Sequence, residues 1–148
     1  MPIKQVEPPE AHEILNKDAQ AVYLDVRTEG EFAQGHPAGA INIPLLFIKG
    51  PGQTEDNPDF VAVVQKILPQ DKKLIVGCLS GGRSQRACEI LERVGYSDLA
   101  NVRGGFGGAR DASGRIVIEG WRDAGLPVSD QVGDAGYQAL CKKAGLLK

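Results

Sequence analysis

The sequence predicts an α/β protein with a parallel sheet and helices on both faces, and three observations lead to that expectation. Short β-leaning runs at 3–6, 21–26, 74–76 and 99–102 alternate with stretches whose apolar residues recur at helical spacing. Helix starts and stops punctuate the alternation: Pro8-Pro9, Thr28 with Glu31, Asn57-Pro58-Asp59, and Gly95. The run Leu74-Ile75-Val76 reads as a buried strand, and the glycines beyond Cys78 allow a tight turn before a helical pattern resumes.

In chain order, residues 3–6 make a short strand. Pro8 and Pro9 suit the first turn of a helix that places Ala11, Ile14 and Leu15 on one face and leaves His12 on a solvated one. A strand at 21–26 ends in Asp25-Val26-Arg27, and Thr28-Glu29-Gly30-Glu31 reads as a capping box before a short helix carrying Phe32 and stopping at Gly35. His36-Pro37-Ala38-Gly39-Ala40 reads as a turn with His36 hydrogen-bonded to backbone, and Ile41-Asn42-Ile43 as a brief extended segment. Residues 50–56 read as a surface loop, a lid or wall. Asn57 as N-cap, Pro58 at the first helical position and Asp59 in the first turn begin a helix that buries Phe60, Val63, Val64 and Ile67.

The helix after Cys78 buries Ala87, Cys88, Leu91 and Val94, and a strand at 99–102 follows. The glycine run 104–108 reads as turn chemistry, since no Lys-Ser/Thr pair and no helical pattern follow it. Residues 111–114 form a hairpin tip, residues 119–124 a short helix in which Trp121 packs, and Tyr137, Leu140, Cys141 and Ala144 an appended helical stripe.

A chain of 148 residues is long enough for one domain that buries a core without disulfides or metal. Its net charge of −2 argues against nucleic-acid binding and polybasic membrane contact. No segment approaches the roughly 20 apolar residues of a membrane span, and the opening Met1-Pro2-Ile3-Lys4 lacks the apolar centre of a secretory signal. The expected location is the cytoplasm. Cys78, Cys88 and Cys141 are too few and too irregularly spaced for a disulfide framework or a zinc site.

Cys78 stands where chemistry is expected, at the carboxyl end of a strand and the amino end of a helix. Turn amides and the helix dipole form an anion nest there. A cysteine so placed ionises below its reference value of about 8.5, in the range of roughly 3.5–7.5, with Arg83 and Arg86 as candidate cations. A histidine base is lacking, because only His12 and His36 exist and neither has a triad-like context. A thiolate attacks sulfur without a base, since no proton moves in that step.

These residues carry a family resemblance. The loop Cys78-Leu79-Ser80-Gly81-Gly82-Arg83-Ser84 resembles the active-site loop of the rhodanese superfamily, the thiosulfate sulfurtransferases. Residues 24–32 with 35–44 are similar to that family's amino-terminal signature, and Gly104-Gly105-Phe106 with Trp121 and residues 125–128 to its carboxyl-terminal one. The resemblance implies a three-layer sandwich around a five-stranded parallel sheet over residues 1–128, with residues 129–148 as a helical extension. It further implies that Cys78 accepts sulfur from thiosulfate or a persulfide donor, including a protein persulfide. The acceptor is then cyanide or a thiol, with no metal or organic cofactor.

Leu79, Ser80, Gly81 and Gly82 then act through their amides, and Arg83 and Ser84 complete the substrate site. Asp25 and Arg27 are expected to hold the scaffold, paired with Glu31 or a loop backbone. A place for Arg27 at the pocket rim rests on resemblance alone. Cys88 and Cys141 are expected to pack as small hydrophobes. Four residues separate Cys78 from Arg83, one fewer than in the related cysteine-dependent phosphatases, which favours a sulfur atom over a phosphate group. Phosphatase or arsenate reductase activity, and a non-catalytic or redox-sensing binding module, are the competing readings. The hairpin at 110–118 and the tail after Ser129 depart from the resemblance and bear on acceptor access.

Overall fold

The chain runs β1 (Lys4–Val6), α1 (Pro8–Lys17), β2 (Val22–Asp25), α2 (Glu29–Gln34), β3 (His36–Pro37), β4 (Ile41–Asn42), β5 (Leu46–Gly50), β6 (Gln53–Asp56), α3 (Phe60–Ile67), β7 (Leu74–Gly77), α4 (Gly82–Arg93), β8 (Leu99–Val102), β9 (Ala109–Arg110), β10 (Ile116–Ile118), β11 (Val128–Ser129) and α5 (Tyr137–Lys143). The structure, a computed structural model, describes residues 3–146. Met1 and Pro2 of the opening stretch, and the last two residues of the expected extension, lie outside the described residues.

Five strands form one wholly parallel sheet in the order β1-β8-β7-β2-β4. Period-two alternation sorts its side chains. Leu74 and Val76 of β7 and Leu24 of β2 join one core cluster, with Phe60, Val63 and Val64 of α3 and Ala87, Cys88 and Leu91 of α4. Ile75 and Tyr23 face the other way, into a cluster with Ala11 of α1, Phe32 of α2, Phe106 and Trp121. The result is three layers. Each fully buried aliphatic side chain contributes about 1.5–3 kcal/mol, so the two clusters hold the helices against the sheet. β2 leads outward to β4, whereas β7 leads to β8 on its other side; the reversal lies between β2 and β7, beside Cys78.

The Thr28 capping box forms as the sequence predicts, with Thr28 Oγ1 accepting from the Glu31 amide and Glu31 accepting from the Thr28 amide. Gly95 closes α4 with a φ of +106°. The tail helix α5 docks on its own domain, adding Tyr137, Leu140 and Cys141 to the α3–α4 core cluster. Asn57 Nδ2 donates to the Tyr137 hydroxyl at 2.9 Å.

Several local expectations change. Residues 50–56, expected as a loop, instead complete the antiparallel hairpin β5–β6 that begins at Leu46, and β6 is exposed at every position, so no apolar alternation announces it. Asn57 is not the cap of α3. Its Oδ1 accepts from the Asp59 amide at 3.0 Å in a turn, and the helix starts at Phe60. His36 and Pro37 pair with Ser129 and Val128 as a two-residue ladder, with His36 buried, stacked on Phe32 and hydrogen-bonded to the Phe32 carbonyl at 2.7 Å. Residues 119–124 turn without becoming a helix, because the Trp121 and Arg122 amides donate to the Gly105 and Phe106 carbonyls instead of to their own segment.

His12 is half-buried rather than solvated, with its ring edge-on to Trp121 at 5.5 Å. Trp121 packs as expected, 1 % exposed, and its Nε1–H donates to the Pro127 carbonyl.

Candidate active site

β7 ends at Gly77, where a Cβ would overlap the Tyr23 hydroxyl, and Cys78 follows at its carboxyl end. Gly81 turns the chain with φ +120°, and α4 begins at the next residue. The Gly81 N–H donates to Cys78 Sγ at 3.1 Å, and Ser84 Oγ lies 3.4 Å from the same sulfur. Ser84 Oγ is also within reach of the Gly81 carbonyl and of Asn101 Oδ1, and Asn101 Nδ2 donates to Gln5 Oε1 at 2.9 Å.

Of the loop amides expected around the sulfur, those of Leu79, Ser80, Gly81 and Gly82, only that of Gly81 reaches it. Among the described residues, the amides of Leu79, Ser80, Gly82, Arg83 and Ser84 have no protein acceptor. Leu79, Ser80 and Gly82 are exposed. These free donors at the start of a helix make a concave, positively polarised surface suited to an anion.

Cys78 itself is covered, at 2 % exposed. The sulfur lies at the floor of the cradle, beneath residues that themselves face solvent. A second strand of backbone supports that floor. The amides of Gly104, Phe106 and Gly107 donate to the carbonyls of Ser80, Cys78 and Leu79 at 3.1, 2.8 and 2.8 Å. This close approach explains the glycine run. Gly105 adopts φ +52°, and a Cβ there would overlap the Cys78 carbonyl oxygen and the Leu79 backbone.

The charged residues divide differently from the sequence expectation. Arg83, expected to contact a substrate anion, is committed to Glu31 through two hydrogen bonds of 2.7 and 3.1 Å. Burial pushes the Glu31 carboxyl upward, but the Arg83 hydrogen bond, the Thr28 amide, the Arg83 charge and the Thr28 hydroxyl together outweigh it and hold it at about 2. Arg83 is raised in turn, first by the Glu31 hydrogen bond, against burial, and with smaller contributions from the Glu31 and Cys78 charges. Arg86, the other candidate cation, is exposed and paired with Asp56 at 2.8 Å.

Asp25 and Arg27 form a buried pair at 2.8 Å, 1 % and 3 % exposed. The second partner of Arg27 is the Gly35 carbonyl at 2.7 Å, not Glu31, and its guanidinium lies 4.5 Å above the Phe106 ring. Asn42 ties this turn to β4 by donating to the Asp25 and Arg27 carbonyls. Arg27 also reaches the wall of a cleft of about 370 Å³ shared with Glu31, Gln34, Leu79, Phe106 and Arg122. Scaffold and rim positions therefore coincide in one residue.

Cys88 is fully buried, and burial, with small contributions from Glu89, Cys78 and Glu92, pushes its thiol up to about 12. All three cysteines are free and buried. Sequence reasoning found the loop but missed Glu31 as the partner of Arg83, Asn101 beneath Ser84 and Arg122 beside Phe106. Each of these pairings joins residues far apart in the chain, and no local pattern marks them. Among the described residues no cluster of three His, Cys, Asp or Glu could hold a metal ion, and no helix is long and apolar enough to cross a membrane.

Comparison with known proteins agrees with this geometry. The chain is similar to Protein HIGH ARSENIC CONTENT 1, mitochondrial, of Arabidopsis thaliana, 46 % identical over 90 residues covering 61 % of this chain and 53 % of that one. It thus spans about half the length of that relative. It is 42 % identical over 96 residues to Thiosulfate sulfurtransferase 16, chloroplastic, of the same plant, covering 65 % of this chain and 78 % of that one. The crystal structure of Rv0390 from M. tuberculosis superposes with a TM-score of 0.73 at 30 % identity, over 88 % of this chain and all of the other. The sequence profile of the Rhodanese-like domain matches residues 7–112, a span that contains both the Asp25–Arg27 turn and the whole Cys78 loop. On the parallel sheet, the cysteine at the end of its central strand and this match, the chain belongs to the rhodanese-like domain family.

Proposed function

We propose that the protein is a sulfurtransferase acting by double displacement through Cys78. The Cys78 thiolate attacks the outer sulfur of thiosulfate, the S–S bond of the donor breaks and sulfite leaves with the electron pair. A thiolate acceptor, or cyanide, then attacks the outer sulfur of the Cys78 persulfide, and the Cys78 thiolate departs. No net oxidant is consumed. A persulfide, small or on a protein, serves equally as donor, and the setting proposed is the reducing cytoplasm.

One observation supports this reading above the others: Cys78 Sγ already accepts the Gly81 N–H and faces the Ser84 hydroxyl, next to five amides with no acceptor among the described residues. Donors held in place before reaction stabilise developing negative charge without reorganisation. The same donors suit both the thiolate and the outer sulfur of a persulfide. The four-residue spacing to Arg83 keeps the cradle narrow, in favour of sulfur over phosphate or arsenate.

The covered thiol favours a second reading, a binding or redox-sensing module that retains the fold without turnover. Transfer requires residues 79–82 to admit the donor, and mass spectrometry of the intact protein after incubation with thiosulfate reads that event. A gain of one sulfur that persists in Cys88→Ser and vanishes in Cys78→Ser, together with thiocyanate formation from cyanide, supports the enzyme. No gain with thiosulfate or with a persulfide donor leaves the module.

A further inference from the structure

Next to the cradle lies a second cleft, of about 650 Å³, that the two half-reactions above leave without a role. Its walls include Leu79 and Ser80 of the Cys78 loop, Gly107 of the glycine strap, Ala109 and Arg110 of β9, and Arg122. The volume suits a small molecule and far exceeds the needs of thiosulfate, which fits the amide nest. Leu79 and Ser80, the two residues that follow Cys78, form part of its wall, so the cleft borders the loop that carries the reacting sulfur.

The cleft wall carries two arginines and no acid. Arg110 uses one N–H on the Gly114 carbonyl at 2.8 Å, which leaves most of its five donors free. The hydrogen bond that Arg122 makes to a carboxylate is a 3.4 Å contact with its exposed neighbour Asp123, longer than a well-formed charge-assisted bond. Its guanidinium is steadied at 5.6 Å from the Phe106 ring. Asp111, the chain neighbour of Arg110, is engaged by Ser113 and the Arg115 amide. The neighbouring clefts differ. The 370 Å³ cleft, which Arg122 also borders, carries the Glu31 carboxylate and an Arg27 neutralised by Asp25, and a cleft of about 420 Å³ beyond Ser80 has Arg103 as its one cation. The family match ends at residue 112, inside the β9–β10 hairpin, so Arg122 lies beyond it.

We propose that this cleft is the acceptor site and that Arg110 and Arg122 select a small thiol carrying a carboxylate. The proposal rests on the sulfur-transfer reading. The carboxylate of the acceptor binds the two guanidinium groups while its thiolate attacks the outer sulfur of the Cys78 persulfide. That S–S bond breaks, the Cys78 thiolate leaves and the acceptor departs as a persulfide. The outer sulfur stands about 2 Å beyond Sγ, so this attack does not need the cysteine itself exposed.

The test uses protein preloaded with persulfide and three matched thiols: 3-mercaptopropionate, 2-mercaptoethanol and cysteamine, which are anionic, neutral and cationic. Comparing R110Q/R122Q with wild type for each thiol cancels differences in intrinsic nucleophilicity. The kcat/KM ratio of 3-mercaptopropionate to 2-mercaptoethanol is expected to fall about tenfold or more in the double variant, through KM, since a hydrogen bond to a charged group is worth about 1.5–3 kcal/mol. Cysteamine is expected to gain, and R110Q alone to give a smaller fall. An unchanged ratio overturns the proposal.

A second arm does not depend on turnover. An NMR titration of unloaded protein with 3-(methylthio)propionate, which cannot accept sulfur, is expected to shift the amides of Leu79, Ser80 and Ala109, and 2-(methylthio)ethanol is not. Shifts without persulfide loading retain the cleft and sink the transfer reading. Loading without carboxylate-dependent shifts sinks the cleft and retains transfer.

Discussion

Replacing Glu31 with glutamine tests the electrostatics that hold Arg83 beside the cradle. The amide side chain keeps the shape of a protonated glutamate and its oxygen still accepts from Thr28, so the change isolates the charge. The carboxyl is held at about 2 in the folded protein against an ordinary value of 4.5. At about 1.4 kcal/mol per tenfold, that difference corresponds to ~3 kcal/mol in favour of the folded state when Glu31 is ionised. The side chain is 25 % exposed, and solvent screening brings the expected loss to about 1–2 kcal/mol.

The sign follows from the depressed value. The contribution is complete above the unfolded value of 4.5 and is lost as pH falls toward 2, with less than half remaining near pH 3 by linkage. Urea titrations of wild type and E31Q at pH 7, 4.5, 3 and 2.5 measure it, and at pH 7 the melting temperature is expected to drop by about 2–8 °C. An equal difference at pH 7 and pH 2.5, or none at pH 7, refutes the charge-based account of this pair.

Three further outcomes follow from the structure. Asp25→Ala leaves the Arg27 guanidinium buried without its counter-ion and is expected to cost about 3–5 kcal/mol by urea titration, whereas replacing both residues with apolar ones restores much of the loss. Gly105→Ala forces a methyl group onto the Cys78 carbonyl from a left-handed backbone position; it is expected to destabilise by more than about 2 kcal/mol and to slow persulfide loading, and wild-type loading would count against the strap as the support of the cradle. Tyr137→Phe removes the hydroxyl that receives the Asn57 amide and is expected to cost about 1 kcal/mol in thermal or urea unfolding, a direct measure of how firmly the tail helix is docked.

The layered fold was legible because burial imposes periodicity. Leu74 to Val76 could only be a covered strand, Thr28 and Glu31 spelled out a helix start, and Cys78 before Gly81-Gly82 marked a strand-to-helix turn. Those signals are local, carried by residues within a few positions of each other. The hairpin β5–β6 escaped because its exposed residues feel no such selection. The turn at 119–124 escaped because the amides of Trp121 and Arg122 are satisfied by the glycine strap and not by neighbours in sequence.

For the site, the chain by itself determined which cysteine stands at the strand end and which backbone surrounds it, since loop spacing and glycine placement are encoded within a dozen residues. Only the tertiary structure decided that Arg83 is neutralised by Glu31, that Arg27 binds Asp25 against the face of Phe106, that the thiol is covered, and that Arg110 and Arg122 line one cleft. The reason is physical. A side chain's charge and exposure depend on what packs against it, and the partners here come from residues as distant as Glu31 and Arg83, brought together by a sheet whose strand order is not the chain order.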